Sequence, residues 1–213
     1  MTPREIFIGD IQGCYEEFLD LLKACEHHPA RDTLYLAGDM INRGPKSREL
    51  LEDLMQRPRL NCILGNHEFY YLRGDEKQSF EALDLEFGSR KKIYTQWLAQ
   101  WPYYMESESW MLIHGGLSPQ QHPSQMDPEV LTNLRNNPSG KPWFEEYQAR
   151  KTTIFGHWAA RGLVQQGHFW GLDSGCVYGG QLSALILPEK RLVSVPAHRS
   201  YCPIKVKTKP HSV

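Results

Sequence analysis

Five short segments of this chain carry side chains suited to holding divalent cations. They are Gly9-Asp10-Ile11-Gln12-Gly13, Gly38-Asp39-Met40-Ile41-Asn42-Arg43-Gly44, Gly65-Asn66-His67-Glu68, His114-Gly115-Gly116 and Gly156-His157. A single Gly-Asp is usually only a turn, and a lone Gly-Asn-His only a loop. Together the five supply carboxylates, amides, imidazoles and one guanidinium. A dinuclear centre for phosphoryl chemistry needs oxygen and imidazole donors, plus one carboxylate able to bridge two ions.

Each segment follows a short apolar run: residues 6–8, 34–37, 62–64, 111–113 and 152–155. Such runs ending in glycine read as buried strands meeting sharp loops. Between the early runs, apolar residues recur at helical spacing. Phe18, Leu21, Leu22 and Cys25 make one face, and Leu50, Leu51 and Leu54 another, with Ser47 as the expected N-cap. Ile93, Trp97 and Trp101 suggest a further helix. The second half reads mainly as strands, at 152–155, 169–172, 182–187 and 191–195, the last two joined by a hairpin turn at Pro188-Glu189-Lys190. Residues 120–127 and 136–142 read as loops and 203–213 as a frayed tail. Strands alternating with helices predict an α/β layered fold, whose ligands gather at the carboxyl ends of strands.

The order GD-x-x-G, GD-x-x-x-RG, GNHE, HGG, GH resembles the calcineurin-like metallophosphoesterases, in particular their phosphoprotein-phosphatase branch. Within that branch the chain is most similar to the bacterial symmetrical diadenosine-tetraphosphate hydrolases, through residues 8–15, 32–45, 63–67, 141–144, 155–159 and 172–180. The resemblance implies a four-layer α/β/β/α sandwich with two mixed β-sheets, a single catalytic domain over 1–213, and two divalent metal ions, Mn foremost, with Mg, Co, Fe or Zn as alternatives. It implies Asp10 at the first metal, Asp39 bridging both, and Asn66, His114 and His157 at the second. Arg43 should clamp phosphoryl oxygens, with Asn66 and Tyr178 also meeting the substrate. His67 should protonate the leaving group, and the nucleophile should come from water ionised by the two ions.

Three departures stand out. Gln12 replaces the usual metal-binding His, so an amide oxygen is expected at the first site, favouring Mn²⁺ or Mg²⁺ over softer ions. Asn42 replaces the Asp that orients the catalytic His in protein phosphatases, and is expected to hydrogen-bond His67 through its amide. The segment from Leu131 to Lys141 is shorter than in the tetraphosphate hydrolases, which carry a helical insert there.

Composition narrows the remaining classes. The chain has 213 residues, 40% hydrophobic and 23% charged, with Lys+Arg 24 against Asp+Glu 25. A near-neutral balance argues against broad nucleic-acid or anionic-membrane binding. No apolar run is long enough for a signal peptide or a bilayer span. Five scattered cysteines without a CxxC pair indicate neither a disulfide framework nor a zinc knuckle, so a cytoplasmic setting is expected. Cys176 reads as structural, and His27, His28, His122, His168, His198 and His211 as solvated. Tyr70, Tyr71, Trp97, Trp101, Tyr103 and Tyr104 read as packing residues, and Arg90-Lys91-Lys92 as a solvated helix face. The leading function is symmetrical hydrolysis of dinucleoside tetraphosphates. A phosphoprotein phosphatase is the alternative, so the partner is a small nucleotide or a phosphoprotein. A metal-poor binding protein, with Gln12 marking lost catalysis, runs against the presence of every other ligand. None of these motifs encodes an oligomeric state.

Overall fold

The computed structural model describes residues 3–75 and 79–203. The expected fray at 203–213 and the solvated His211 lie, Pro203 apart, outside the described residues. The elements run β1 (Glu5–Ile8), α1 (Tyr15–Ala24), β2 (Thr33–Leu36), α2 (Ser47–Leu54), β3 (Leu60–Cys62), α3 (Asn66–Arg73), α4 (Glu81–Phe87), α5 (Lys91–Leu98), β4 (Tyr104–Glu106) and β5 (Trp110–Ile113). They continue α6 (Pro128–Asn133), α7 (Trp143–Glu146), β6 (Thr152–Phe155), β7 (Val164–Gln166), β8 (Phe169–Gly171), β9 (Gln181–Leu187) and β10 (Arg191–Pro196).

The strands form two five-stranded sheets, ordered β10-β9-β1-β2-β3 and β4-β5-β6-β8-β7. Each mixes parallel and antiparallel pairs. Side chains alternate across a strand, so each strand feeds two cores. From β1, Ile6 and Ile8 join the core under α1, α2, α4 and α5, while Phe7 enters the core between the sheets. From β5, Trp110 and Leu112 face that inter-sheet core, while Met111 and Ile113 join Leu131, Trp143 and Phe144 in a third core. Three cores separate four layers, the α/β/β/α sandwich that the resemblance implied. The hairpin turn at Pro188-Glu189-Lys190 also stands, since β9 and β10 pair antiparallel.

Several local expectations are corrected. Ser47 begins α2 instead of capping it; Lys46 holds the cap position, and the Ser47 hydroxyl accepts from Asn42 N at 3.0 Å. In α5 the buried residues are Tyr94 and Leu98, while Ile93 is 45% exposed. Strand β3 ends at Cys62, so buried Ile63 and Leu64 already belong to the turn that delivers Asn66. Among the described residues no helix is long and apolar enough to cross a membrane.

Candidate metal centre

Every loop named above leaves the carboxyl end of a strand, and the loops converge on one buried cluster. Asp10, Gln12, Asp39, Asn66, His67, His114 and His157 are all buried. The backbone is bent to reach this arrangement. Gln12, Asp39, Asn42, Arg43 and His157 have φ between 47° and 76°, a region that non-glycine residues seldom adopt and that concentrates at functional sites. Two glycines make room: a Cβ on Gly65 would lie 2.2 Å from Asp39 Oδ1, and one on Gly156 would lie 2.2 Å from Asp10 Oδ1.

The imidazoles are set as metal ligands are. His114 Nδ1 donates to the Ala37 carbonyl at 2.7 Å, which leaves Nε2 facing Asp39 Oδ1 at 3.3 Å and Asn66 Oδ1 at 3.1 Å. His157 Nε2 donates to the Asn133 carbonyl at 3.1 Å and points Nδ1 at the same Asn66 oxygen, 2.7 Å away. Fixing one ring nitrogen on a backbone carbonyl frees the other for a cation. Donor atoms of Asp10, Asp39 and His114 all lie within 4.8 Å of one another. This oxygen and imidazole set fits hard or borderline divalent ions such as Mn²⁺.

Burial and charge act together on these groups. Burial pulls His114 down, but Asp39 and Asp10 outweigh it and push its pKa up to about 10. Burial would raise Asp39, yet His114 and His67 hold it well below the usual carboxylate range. Asp10 is pushed up by burial and by neighbouring Asp173. A protonated His114 must lose its proton to bind a metal. Metal uptake should therefore release at least one proton, and apparent affinity should rise roughly tenfold or more per pH unit from about pH 7 to 9. Titration calorimetry in buffers of different ionisation enthalpy measures this release; a pH-independent affinity would show His114 lying outside the ligand set.

Gln12 lies inside the cluster. Its Nε2 donates to Asp39 Oδ2 at 3.3 Å and sits 3.5 Å from His67 Nε2. A half-turn of the amide exchanges N for O, so the group can present an oxygen to a cation. Gln12→His should raise affinity for Zn²⁺ or Co²⁺ relative to Mn²⁺ by about tenfold or more. Competitive metal titration decides, and an unchanged preference in a folded variant would exclude Gln12 as a ligand.

His67 is fully buried, with Nε2 3.7 Å from Asp39 Oδ2 and its backbone N–H donating to Asp39 Oδ1 at 2.9 Å. Asn42 does not reach it. The Asn42 amide oxygen instead accepts from Arg43 N at 2.8 Å, and His67 Nδ1 is left buried without a hydrogen-bond partner. The expected Asn42–His67 bond is therefore corrected: a short local bond satisfies the amide before it can reach across the site.

Arg43, exposed at the rim, donates through Nη1 to the Tyr178 hydroxyl, with its guanidinium 5.5 Å from the ring centroid. A guanidinium has five N–H donors, so this bond orients it while leaving capacity for a phosphoryl group.

Two buried acids of the cluster had no role in the sequence reading. Glu68 was quoted only as the letter after His67. Fully buried, it accepts four backbone N–H groups, from Asp39 and Gly65 at 2.9 Å, Met40 at 2.8 Å and Ile41 at 3.1 Å. It ties the Asp39 loop to the Asn66 loop. Asp173, within the matched stretch 172–180, is buried beside Asp10, and burial raises it to about 6. An acid after an apolar strand was the available signal.

The sequence model of the family described as calcineurin-like phosphoesterase matches residues 4–194. The chain belongs to that family. It is therefore a hydrolase with the fold of that family, which implies divalent metal ions. A symmetrical bis(5'-nucleosyl)-tetraphosphatase of Methylobacillus flagellatus is 29% identical over 263 residues, covering 90% of this chain and 94% of the relative. Another, from Vibrio cholerae serotype O1, is 30% identical over 267 residues, covering 89% and 97%. A 263-residue alignment exceeds this 213-residue chain, so at least 50 positions are filled by the relative alone. A crystal structure described as a "putative diadenosine tetraphosphatase" superimposes with TM-score 0.82 at 34% identity, covering 92% of this chain and 95% of that one. A cold-active protein-tyrosine phosphatase of a Shewanella species shares the fold at TM-score 0.65 and 16% identity.

Proposed function

We propose that this calcineurin-like phosphoesterase hydrolyses dinucleoside tetraphosphates symmetrically: one water adds across the central phosphoanhydride and two nucleoside diphosphates leave. The observation that carries this reading is the state of His67. Its Nδ1 has no partner, and burial lowers its pKa to about 4, with Asp39 pulling the other way. At neutral pH the imidazole is almost wholly neutral, and nearby cations would lower it further. A serine alkoxide needs a strong proton donor on departure, whereas a nucleoside diphosphate is a weak base and does not. The site thus suits a phosphoanhydride better than an alkyl ester.

In this reading Asp10, Gln12 and Asp39 would hold one cation, and Asp39, Asn66, His114 and His157 the other. Bound there, the two ions would lower the pKa of the attacking water and neutralise phosphoryl charge. Arg43 and Asn66 orient the phosphate chain, and Tyr178 orients Arg43. Full-length relatives named as tetraphosphatases support the substrate class. Size does not favour the phosphoprotein alternative, since a chain of nearly equal length is described as a diadenosine tetraphosphatase. A single catalytic domain and a reducing, cytoplasmic setting belong to the same reading, supported by the extent of the family match and by five free thiols.

The test is a substrate panel with Mn²⁺. Diadenosine tetraphosphate should exceed phosphopeptides in kcat/KM and yield ADP; AMP plus ATP would place the attack at another phosphorus. Tyr178→Phe should raise KM for the tetraphosphate about three- to tenfold with kcat little changed, because Arg43 loses its orienting bond. An equal fall in kcat would instead place Tyr178 in the chemical step.

A further inference from the structure

A second potential metal-ligating cluster lies in the core behind the catalytic loops. Cys14 closes the Asp10–Gln12 loop and stands at the N-cap of α1 without capping it through its side chain. Glu17 is in the first turn of α1, and Cys176 lies on the loop that carries Tyr178. The two sulfurs and a carboxylate oxygen of Glu17 lie within 4.8 Å of one another. All three residues are at most 1% exposed. Among the described residues, the only other such group is the catalytic one of Asp10, Asp39 and His114.

Glu17 supplies an independent sign of a ligand. Its Oε1 is satisfied, accepting from His198 N at 2.8 Å and from the Tyr201 hydroxyl at 2.7 Å. Its Oε2 is buried with no partner. A carboxylate oxygen held out of water without a donor is costly unless a proton or a cation meets it. Glu17 is grouped through a carboxylate oxygen with two thiols.

We propose that Cys14, Glu17 and Cys176 form a binding site for a thiophilic divalent cation of the Zn²⁺ class. Zinc binds thiolate sulfur at about 2.3 Å and carboxylate oxygen at about 2.0–2.2 Å, so tetrahedral donors stand roughly 3.5–4 Å apart. From a spacing of at most 4.8 Å, a contraction of about 1 Å reaches it. Donor chemistry also sorts the ions: two sulfurs select Zn²⁺ or Cd²⁺, while the oxygen and imidazole centre nearby accepts Mn²⁺ or Mg²⁺. Bound there, the ion would tie the Asp10–Gln12 loop to the Tyr178 loop, joining the metal centre to the residue that orients Arg43. The segment carrying His198 and Tyr201 covers the cluster, with Tyr201 N and Cys202 N bonded to the Val177 carbonyl at 2.9 and 3.1 Å. Its displacement would give an ion entry.

Cobalt is the probe, because thiolate ligation gives a sulfur-to-metal charge-transfer band that oxygen and nitrogen donors do not. Reduced wild type, stripped of metal and then supplied with excess Mn²⁺ to fill the oxygen and imidazole centre, should develop this band on titration with Co²⁺, saturating at about one equivalent, and Zn²⁺ should displace it. Cys14→Ser and Cys176→Ser should each abolish it, whereas Cys25→Ser and Asp39→Asn should retain it. With excess Mn²⁺ present, zinc content should drop from about one ion per chain to none in the Cys14 and Cys176 variants. If either variant fails to fold, wild type alone still decides. Absence of the band in protein with fully reduced thiols overturns the proposal, as does a band that survives both substitutions.

Discussion

Asp39→Asn is expected to leave a folded protein that retains at most one cation and turns over at least about a thousandfold more slowly. Both carboxylate oxygens of Asp39 are engaged. Oδ1 accepts from His67 N at 2.9 Å and faces His114 Nε2 at 3.3 Å, while Oδ2 accepts from Gln12 Nε2 at 3.3 Å. An amide offers one acceptor where the carboxylate offers two, so its NH₂ must either confront the His67 N–H or force the Gln12 amide to flip. A donor left facing a donor in a buried site costs about 1–3 kcal/mol. The larger loss is charge. Asp39 is the carboxylate held ionised by His114 and His67. Metal content after gel filtration, measured beside tetraphosphate turnover, checks both halves of the expectation. Two retained ions with near-native turnover would place the bridging carboxylate elsewhere.

The metal-type cluster was legible because its loops are punctuated by glycines that the geometry demands. Gly65 and Gly156 each lie where a Cβ would collide with an Asp oxygen, so the motif letters report a real close approach. What a motif does not report is where an amide spends its hydrogen bonds. Asn42, at φ 76°, turns its oxygen back to Arg43 N, a choice set by local backbone geometry and invisible in spacing. Glu68 escaped notice for a related reason: a carboxylate serving four backbone N–H groups is defined by loops distant in sequence. Helices α6 and α7 span six and four residues, too short to show a period. Around α5 the tryptophans mislead, because Trp97 within the helix and Trp101 beyond its end stack edge-to-face on each other, 5.5 Å between centroids, at the margin of the core that Tyr94 and Leu98 enter. The Cys14, Glu17 and Cys176 grouping joins α1 to a loop some 160 positions away along the chain, and only the fold brings it together.

At the acidic end of the metal-competent pH range, where His67 begins to carry a proton, His67→Asn is expected to slow phosphoserine hydrolysis by about a hundredfold or more, and tetraphosphate hydrolysis by less than about tenfold. The reasoning begins with the proton. A general acid contributes most when the departing oxygen is a strong base, as a serine alkoxide is, and least when it is already a stable anion, as a nucleoside diphosphate is. His67 is ill equipped for the first task. It is fully buried, burial lowers its pKa to about 4, and its Nδ1 finds no carboxylate or amide to stabilise an imidazolium. A group whose pKa is lowered below its ordinary value is protonated only below the new value. The wild-type alkyl-ester rate should therefore rise as pH falls toward the acidic end of the metal-competent range, while the tetraphosphate rate should not. Both substrates measured on wild type and variant across pH, with products resolved by chromatography, give four profiles to compare. Equal losses on the two substrates would mean that His67 positions the phosphate without delivering a proton. A strong wild-type preference for phosphopeptides would overturn the tetraphosphate assignment and leave the metal centre as it stands.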